Sequence, residues 1–413
     1  EQALNSVGLD LTLSGTENAV IADPLSLFID SSTLQGRAGI TDLDTGALTF
    51  DLALDQLRVD DYLPPSGTSE AAASAASTEE SAAILPPLSS EPLLPLEDLR
   101  SLIVSGKFQA GSLYYDTINV ADLIMELHAS QGLFRLTSLT GSMLSGQFQS
   151  SASLDARQDT PAMTAELNAG SLQIQPLVIM ALEDDLFTGV LDTQTSLTAS
   201  GNSEAALAES FAGKVDITLA NGTVRGINLH NTLLSGINDL LGTYQALSTM
   251  IPGQESGRLP AELSQDTEVV QLTASARLEK LVAYVDTLNA ELRKGSLSGS
   301  GQMDLRREDF DFRLGMKSPE ISDNPYLRDQ TWPLRCEGNL SGDASDWCRH
   351  DSDGFKDIAR NIAAARARDE VRDRLGIEAE GETTEEVIRD AAEQRAREEV
   401  DRRVEEGLRR LFQ

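Results

Sequence analysis

Aromatic residues are scarce in this 413-residue chain, at 5 %, and basic residues are outnumbered: 33 Lys and Arg stand against 66 Asp and Glu, a formal charge of -33. A surface that acidic repels a phosphate backbone, and no basic cluster with interleaved aromatics offsets it, so nucleic acid is excluded as a partner. The same charge resists flat docking on anionic lipid headgroups. No run of eighteen or more apolar residues occurs, so no segment reads as a membrane-spanning helix. There are two cysteines, Cys336 and Cys348, with the turn-like Gly338, Gly342 and Asp343 between them. Their separation suits one short disulfide loop; the other reading is two free thiols in a reducing compartment. The absence of any further cysteine favours the bridge.

Signatures of chemistry are also missing. His128, His230 and His350 are scattered rather than set at metal-ligand spacing, and no CxxC accompanies them, so no metal and no cofactor is expected. Asp42-Leu-Asp-Thr-Gly46 and Asp351-Ser-Asp-Gly354 resemble the start of a calcium loop, but neither has a glutamate where an EF-hand loop needs one, and both read as turns. No GxSxG elbow, P-loop or dinucleotide fingerprint appears, and the abundant carboxylates form no recognisable pair. Arg225 beside Gly226 could meet a phosphate, although a plain surface charge is the simpler reading. The chain is not expected to be an enzyme.

What is present is alternation. From Leu9 to Tyr62, apolar residues recur at period two, as in Leu9-Leu11-Leu13, Leu25-Leu27-Ile29 and Leu48-Phe50-Leu52-Leu54. Residues 64–96 break the rhythm with Ser, Ala, Glu, Leu and Pro, and read as a disordered or loosely tethered linker. Strands resume near Leu102 and run to about Leu340, with Asn221-Gly222 as the strongest hairpin signal. Gln175 to Leu186 and Leu229 to Met250 look helical. From Phe355 the chain turns rich in Arg, Glu and Ala. Ile358, Ile362, Val371 and Leu375 stand at helical spacing, and a second helix carries Val387 to Leu411. A thin apolar stripe with charged flanks suits a helix on a protein partner or self-associated in a coiled coil; a solvated tail fits as well. The expected organisation is a β segment at 1–63, the linker at 64–96, a β domain at 97–345 and a charged helical tail at 346–413.

About twenty strands follow from roughly a dozen residues per strand and turn. A sheet that long coils, because strand twist accumulates. The fold class is therefore mainly β: a long, strongly curled antiparallel sheet forming an open groove, with a few helices and a helical C-terminal tail. Alternation shows that one face is covered, and leaves open whether protein or lipid covers it. On pattern alone, the closed interior of a sandwich or solenoid is the default.

Three phrases resemble a known family. Leu52 to Pro65 ends a strand in Asp-Asp-Tyr-Leu-Pro-Pro before a low-complexity insert. Leu167 to Gly222 leads into Ala220-Asn-Gly-Thr-Val-Arg-Gly-Ile-Asn-Leu229. Leu297 to Leu305 reads Ser-Gly-Ser-Gly-x-hydrophobic-Asp-Leu, followed by Trp332-Pro-Leu-Arg-Cys-Glu-Gly. In order and spacing these resemble the AsmA family over most of residues 1 to 345; the helical tail carries no matching phrase. The resemblance implies a periplasmic protein of the Gram-negative envelope, tethered to the inner membrane by an N-terminal segment outside this chain. It is similar to the bridge-like lipid transfer proteins, whose groove presents an apolar face to phospholipid acyl chains. It therefore implies phospholipid, and inner and outer membrane components, as partners. Leu123, Met125, Leu127, Val215, Ile217 and Leu219, alternating on two strands, are the candidate lipid-binding residues. The alternative is a structural factor assisting outer-membrane protein assembly, with a closed β core. An enzyme acting on envelope glycans is disfavoured by the lack of aromatic platforms.

Overall fold

The computed structural model describes residues 4–63, 86–243, 266–318, 325–328 and 330–375. Among them seventeen strands form one sheet that does not close on itself. The first group is β1 (Val7–Gly15), β2 (Val20–Ile29), β3 (Ser32–Asp42), β4 (Ala47–Arg58), β5 (Val104–Tyr115) and β6 (Ile118–Ser130). Then come β7 (Leu133–Met143), β8 (Gly146–Asp155), β9 (Ala162–Gln173), β10 (Phe187–Ser200), β11 (Ala212–Val224) and β12 (Thr267–Glu279). The last are β13 (Val282–Leu292), β14 (Gly295–Asp304), β15 (Asp309–Lys317), β16 (Trp332–Asn339) and β17 (Cys348–His350). The helices are α1 (Leu96–Ser101), α2 (Gln175–Leu182), α3 (Glu204–Ser210), α4 (Leu229–Thr243), α5 (Pro325–Arg328) and α6 (Ser352–Leu375). The mainly β chain with few helices and a helical C-terminal segment is as the sequence implies.

From β1 to β10 each strand pairs in register with the next, antiparallel throughout except for the parallel pair β4–β5. Short polar residues turn the corners. Asp30 and Asp116 take left-handed backbone conformations that Asp tolerates, and the Asp42 carboxylate accepts from the Asp44 and Thr45 amides at 2.9 and 3.3 Å. Asp42 is thus a turn residue, as is Asp351, which accepts from the Asp353 and Gly354 amides at the start of α6.

Asn221-Gly222 corrects the hairpin reading. Both residues lie inside β11, Asn221 at φ 51°. A Cβ on Gly222 would stand 3.0 Å from the Thr188 carbonyl oxygen of β10. The left-handed preference of Asn is used inside the strand here, and the missing side chain of Gly222 serves a close approach.

A parallel pair needs a crossover, and the described end of the linker supplies its last part. Residues 86–95 are held, which corrects the loosely tethered reading for this stretch; 64–85 lie outside the described residues. The Arg306 guanidinium donates to the Pro86 carbonyl. The Ser89 amide donates to Glu204 at 3.0 Å, and the Ser89 carbonyl accepts from the Ala205 amide at 3.0 Å. Asn202 grips Leu94 from both sides, accepting its amide at 2.8 Å and donating to its carbonyl at 3.0 Å. The surface that this stretch crosses is a rim of turns, stitched along its length by backbone hydrogen bonds: Ala156 to Gly132, Gly201 to Pro161, Lys280 to Phe211 and Leu305 to Leu281. At its far end α1 is fixed by Arg100, which donates to the Ala156 carbonyl at 2.9 Å and to Asp159 at 2.8 Å.

The chain divides into two compact units. Unit 1 comprises 1–222, 271–287 and 302–309; unit 2 comprises 223–270, 288–301 and 310–413. Unit 2 has a conventional core. On α4, Leu233, Leu234, Ile237 and Leu240 are buried, and on α6 so are Phe355, Ile358, Ala359 and Ile362. Trp332 of β16, fully buried, lies 5.0 Å from the Phe355 ring. Gly236 is where α4 comes closest, since a Cβ there would sit 2.6 Å from the Phe355 ring. Cys336 and Cys348 face each other across β16 and β17 and are joined as a disulfide, Cα atoms 4.0 Å apart. The second helix expected over Val387 to Leu411 lies outside the described residues.

Candidate functional site

Directly opposed residues in paired strands project from the same face, so the registers of unit 1 trace that face strand by strand. One row runs Leu9, Leu27, Leu34, Leu54, Ala110, Leu123. The next runs Leu11, Leu25, Gly36, Leu52, Phe108, Met125, Leu139, Ser150, Leu167, Thr195. A third runs Leu13, Ala22, Ala38, Phe50, Gly106, Leu127, Leu136, Ala152, Ala165, Leu197. The fourth, beside the rim, runs Gly15, Val20, Ile40, Leu48, Val104, Ala129, Phe134, Leu154, Met163, Ala199. Across ten strands the face is apolar almost without a break. At Gly106 a glycine is required, because a Cβ would lie 2.4 Å from the Phe50 ring that crosses it.

This face is not a closed core. The large side chains of the rows are half-buried at best, and on β1 they are open: Leu9 is 57 % exposed and Leu13 63 %. Hydroxyls enter the second row at Ser150 and Thr195, so the apolar band narrows towards the rim from β8 onwards. There it deepens into a cavity of about 380 Å³. The large side chains lining it include Leu127, Phe134, Leu136, Leu154, Met163, Leu197 and Phe211, with Ala152, Ala165 and Ala199 among the small ones. On the reverse face a larger depression, about 1200 Å³, reaches from Asp122 of β6 to Thr287 of β13; Gln149, Asn168 and Gln194, which line it, alternate with the second-row residues Ser150, Leu167 and Thr195.

The opposite face is polar. Arg37, Asp51, Lys107 and Glu126 succeed one another in register, so opposite charges sit side by side across β3 to β6, where each such pair contributes about 0.2–1 kcal/mol. Near the rim, the Arg157 guanidinium beside Asp155 holds that carboxyl down to about 2. Hydrogen bonds from Lys214 and Ser275 lower Asp216, and one from Arg277 lowers Asp286.

Leu123, Met125 and Leu127 occupy the first, second and third rows, all half-buried. Val215, Ile217 and Leu219 follow at alternate positions from Gly213, whose Cβ direction points 2.9 Å from the Leu197 Cδ2; they continue the same face onto β11. The two triplets therefore share one surface, on which Leu127 lines the apolar cavity. Sequence reading missed the residues that make the cavity. Phe134, Leu136 and Leu154 stood in recognised strands, but only register brings them opposite Met163 and Ala199. It also missed α3, although Ser203 is an N-cap signal; its hydroxyl accepts from the Ala206 amide at 3.2 Å.

Among the described residues no group of His, Cys, Asp and Glu is placed to hold a metal, and no helix is long and apolar enough to cross a membrane. His128 bonds Ser105 Oγ at 3.0 Å, and His350 packs 5.4 Å from the Phe355 ring.

Comparison with known proteins gives two matches. A model of the AsmA family matches residues 2–253. Protein AsmA of Escherichia coli (strain K12) is 21 % identical over 325 residues, which cover 76 % of this chain and 50 % of that protein. The chain thus spans about half the length of the curated relative it matches. No solved structure matches.

Proposed function

We propose, from the premise that this chain belongs to the AsmA family, that unit 1 holds phospholipid acyl chains on its apolar face while the headgroups stay in water. Family membership points to a role in the cell envelope; lipid handling is the finer reading. One observation carries it: three registered rows of mostly apolar side chains cross ten strands, a fourth crosses six, and their large side chains remain half-exposed. Monomeric soluble proteins rarely expose a contiguous apolar patch beyond a few hundred Å² unless something binds there. An acyl chain is the occupant that needs no specific polar partner. Each CH₂ that leaves water contributes about 0.8 kcal/mol, so a continuous apolar lane removes most of the barrier to moving a lipid tail. A periplasmic setting, between inner and outer membrane components, belongs to the same proposal; the Cys336–Cys348 disulfide supports it, since such bridges persist in oxidising compartments. Leu123, Met125, Leu127, Val215, Ile217 and Leu219 are the proposed lipid contacts.

The test is to purify the chain without detergent and weigh it by native mass spectrometry, alongside Met125→Asp and Ile217→Asp. Stoichiometric phospholipid, lost in variants that still fold, is the expected result. A stably folded, lipid-free wild-type chain would overturn the proposal and favour a structural role in outer-membrane protein assembly.

A further inference from the structure

The rim of unit 1 borders the apolar cavity and is crossed by residues 86–95. We propose that residues 86–95 form a detachable strap gating lateral passage of acyl chains over that rim, with Asn202 as its catch; this rests on the lipid reading above.

The strap lies where the apolar band ends. Ala199 lines the cavity three residues before Asn202, and Phe211, just beyond α3, lines it from the other side. The strap is bound to the start of this same segment, at Asn202 and at Glu204 and Ala205 of α3. The segment itself is clamped to β10, because Ser210 Oγ donates to the Ser200 carbonyl at 2.6 Å and accepts its amide at 2.8 Å. What can let go is therefore the strap rather than α3.

Its hold is of the kind that lets go. The attachments are hydrogen bonds at exposed or half-buried positions, where water replaces each bond at little net cost. Apolar packing adds little. Leu93 is 50 % exposed, and beneath Leu88 a cavity of about 350 Å³ remains against Ala205, Ala208, Leu281 and Arg306. Prolines at 86, 87, 92 and 95 limit the freedom gained on release, so the strap re-docks readily. A weakly packed, pre-shaped segment across the outlet of an apolar lane is built to open and close.

Both native cysteines are bonded to each other, so an added thiol is unique. Ala208→Cys, in the cavity beneath Leu88, is labelled with a maleimide, and exchange of pyrene-labelled phosphatidylcholine with phosphatidylcholine vesicles is followed on the same protein. Neutral vesicles avoid repulsion by the acidic chain. Removing two hydrogen bonds with Asn202→Ala should speed both labelling and exchange about tenfold. Ser89→Pro, which removes the amide donor to Glu204 and the hydroxyl that accepts from the Glu91 amide, should act in the same direction. A bis-maleimide link between Leu94→Cys and Asn202→Cys should slow exchange below the wild-type rate. Faster labelling with unchanged exchange would show a strap that lifts without gating, and would overturn the proposal. Unchanged labelling in both variants would overturn it at its first step. A wild-type chain that takes up no labelled lipid would sink the lipid reading itself, and the gate with it.

Discussion

Unit 1 and unit 2 are built from similar strands, yet they bury different things. In unit 2 the buried apolar residues include Leu233, Ile237, Met316, Leu327, Trp332, Leu334 and Ile362. In unit 1 they are Ala22, Ala110, Ala129, Ala156 and Ala169, with Ile118, Leu172 and Leu278. The large side chains of unit 1 stand half-open on the sheet face instead. A sheet face backed by helices becomes a core, as α4 and α6 make it in unit 2. A face left unbacked is a surface with the composition of a core, and unit 1 is held together by its ladders, its turns and its polar reverse face. The difference places the packed core in one unit and the open apolar face in the other.

Paired substitutions test this division most strongly. Trp332→Ala, at a fully buried site, should cost about 3–5 kcal/mol in denaturant unfolding. Leu13→Ala, at a site 63 % exposed, should stay within about 0.5 kcal/mol. Equal losses at the two sites would mean that the face of unit 1 is a core after all.

Reduction of the disulfide should come next in size. Cys336 and Cys348 are separated by 12 in sequence, and closing a loop of about 15 residues stabilises by about 3 kcal/mol. Hydrogen exchange after reduction should quicken in β16, β17 and α6 and leave β5 to β9 unchanged. Acceleration spread evenly over both sets would mean that the disulfide stabilises more than its own unit.

Acid gives the mildest discrimination. Asp30, Asp42, Asp155, Asp216 and Asp286 in unit 1 all have lowered pKa values, Asp155 to about 2, through hydrogen bonds to nearby backbone or side chains. In unit 2 the lowered carboxyls are Asp343 and Asp353. A depressed carboxyl stabilises the fold above its unfolded pKa, near 3.8, and that contribution fades as pH falls towards about 2. Tryptophan fluorescence from Trp332 and Trp347, both in unit 2, should therefore change at lower pH than protection of the β1–β4 amides. The reverse order would show that the turns of unit 1 are not what its carboxylates hold.

The strands were legible because one apolar side chain in two leaves an imprint that needs no partner to be read. Register left no such imprint: nothing local in Phe134 or Met163 says that Leu154 stands between them. Asn221-Gly222 was read as a corner because that pair prefers left-handed backbone, a preference that a position inside β11 satisfies equally well. The held stretch 86–95 was invisible because its bonds are made by backbone groups to Asn202, Glu204 and Arg306, far away in sequence. Half of the site, the face itself, followed from alternation; the other half, its outlet, did not.

The one parallel pair, β4–β5, has a consequence in the order of assembly. Elsewhere in β1 to β9 a strand meets its predecessor across a short connection, so pairing can zip outward from each corner. Leu48, however, must find Val104 across the whole linker. Closing a long loop before any contact rewards it is slow. The joint should therefore form last, when two meanders, β1–β4 and the strands from β5 onward, already exist as separate pieces. The sheet is in that sense a splice, and its length was set by joining ready-made lengths rather than by adding single strands.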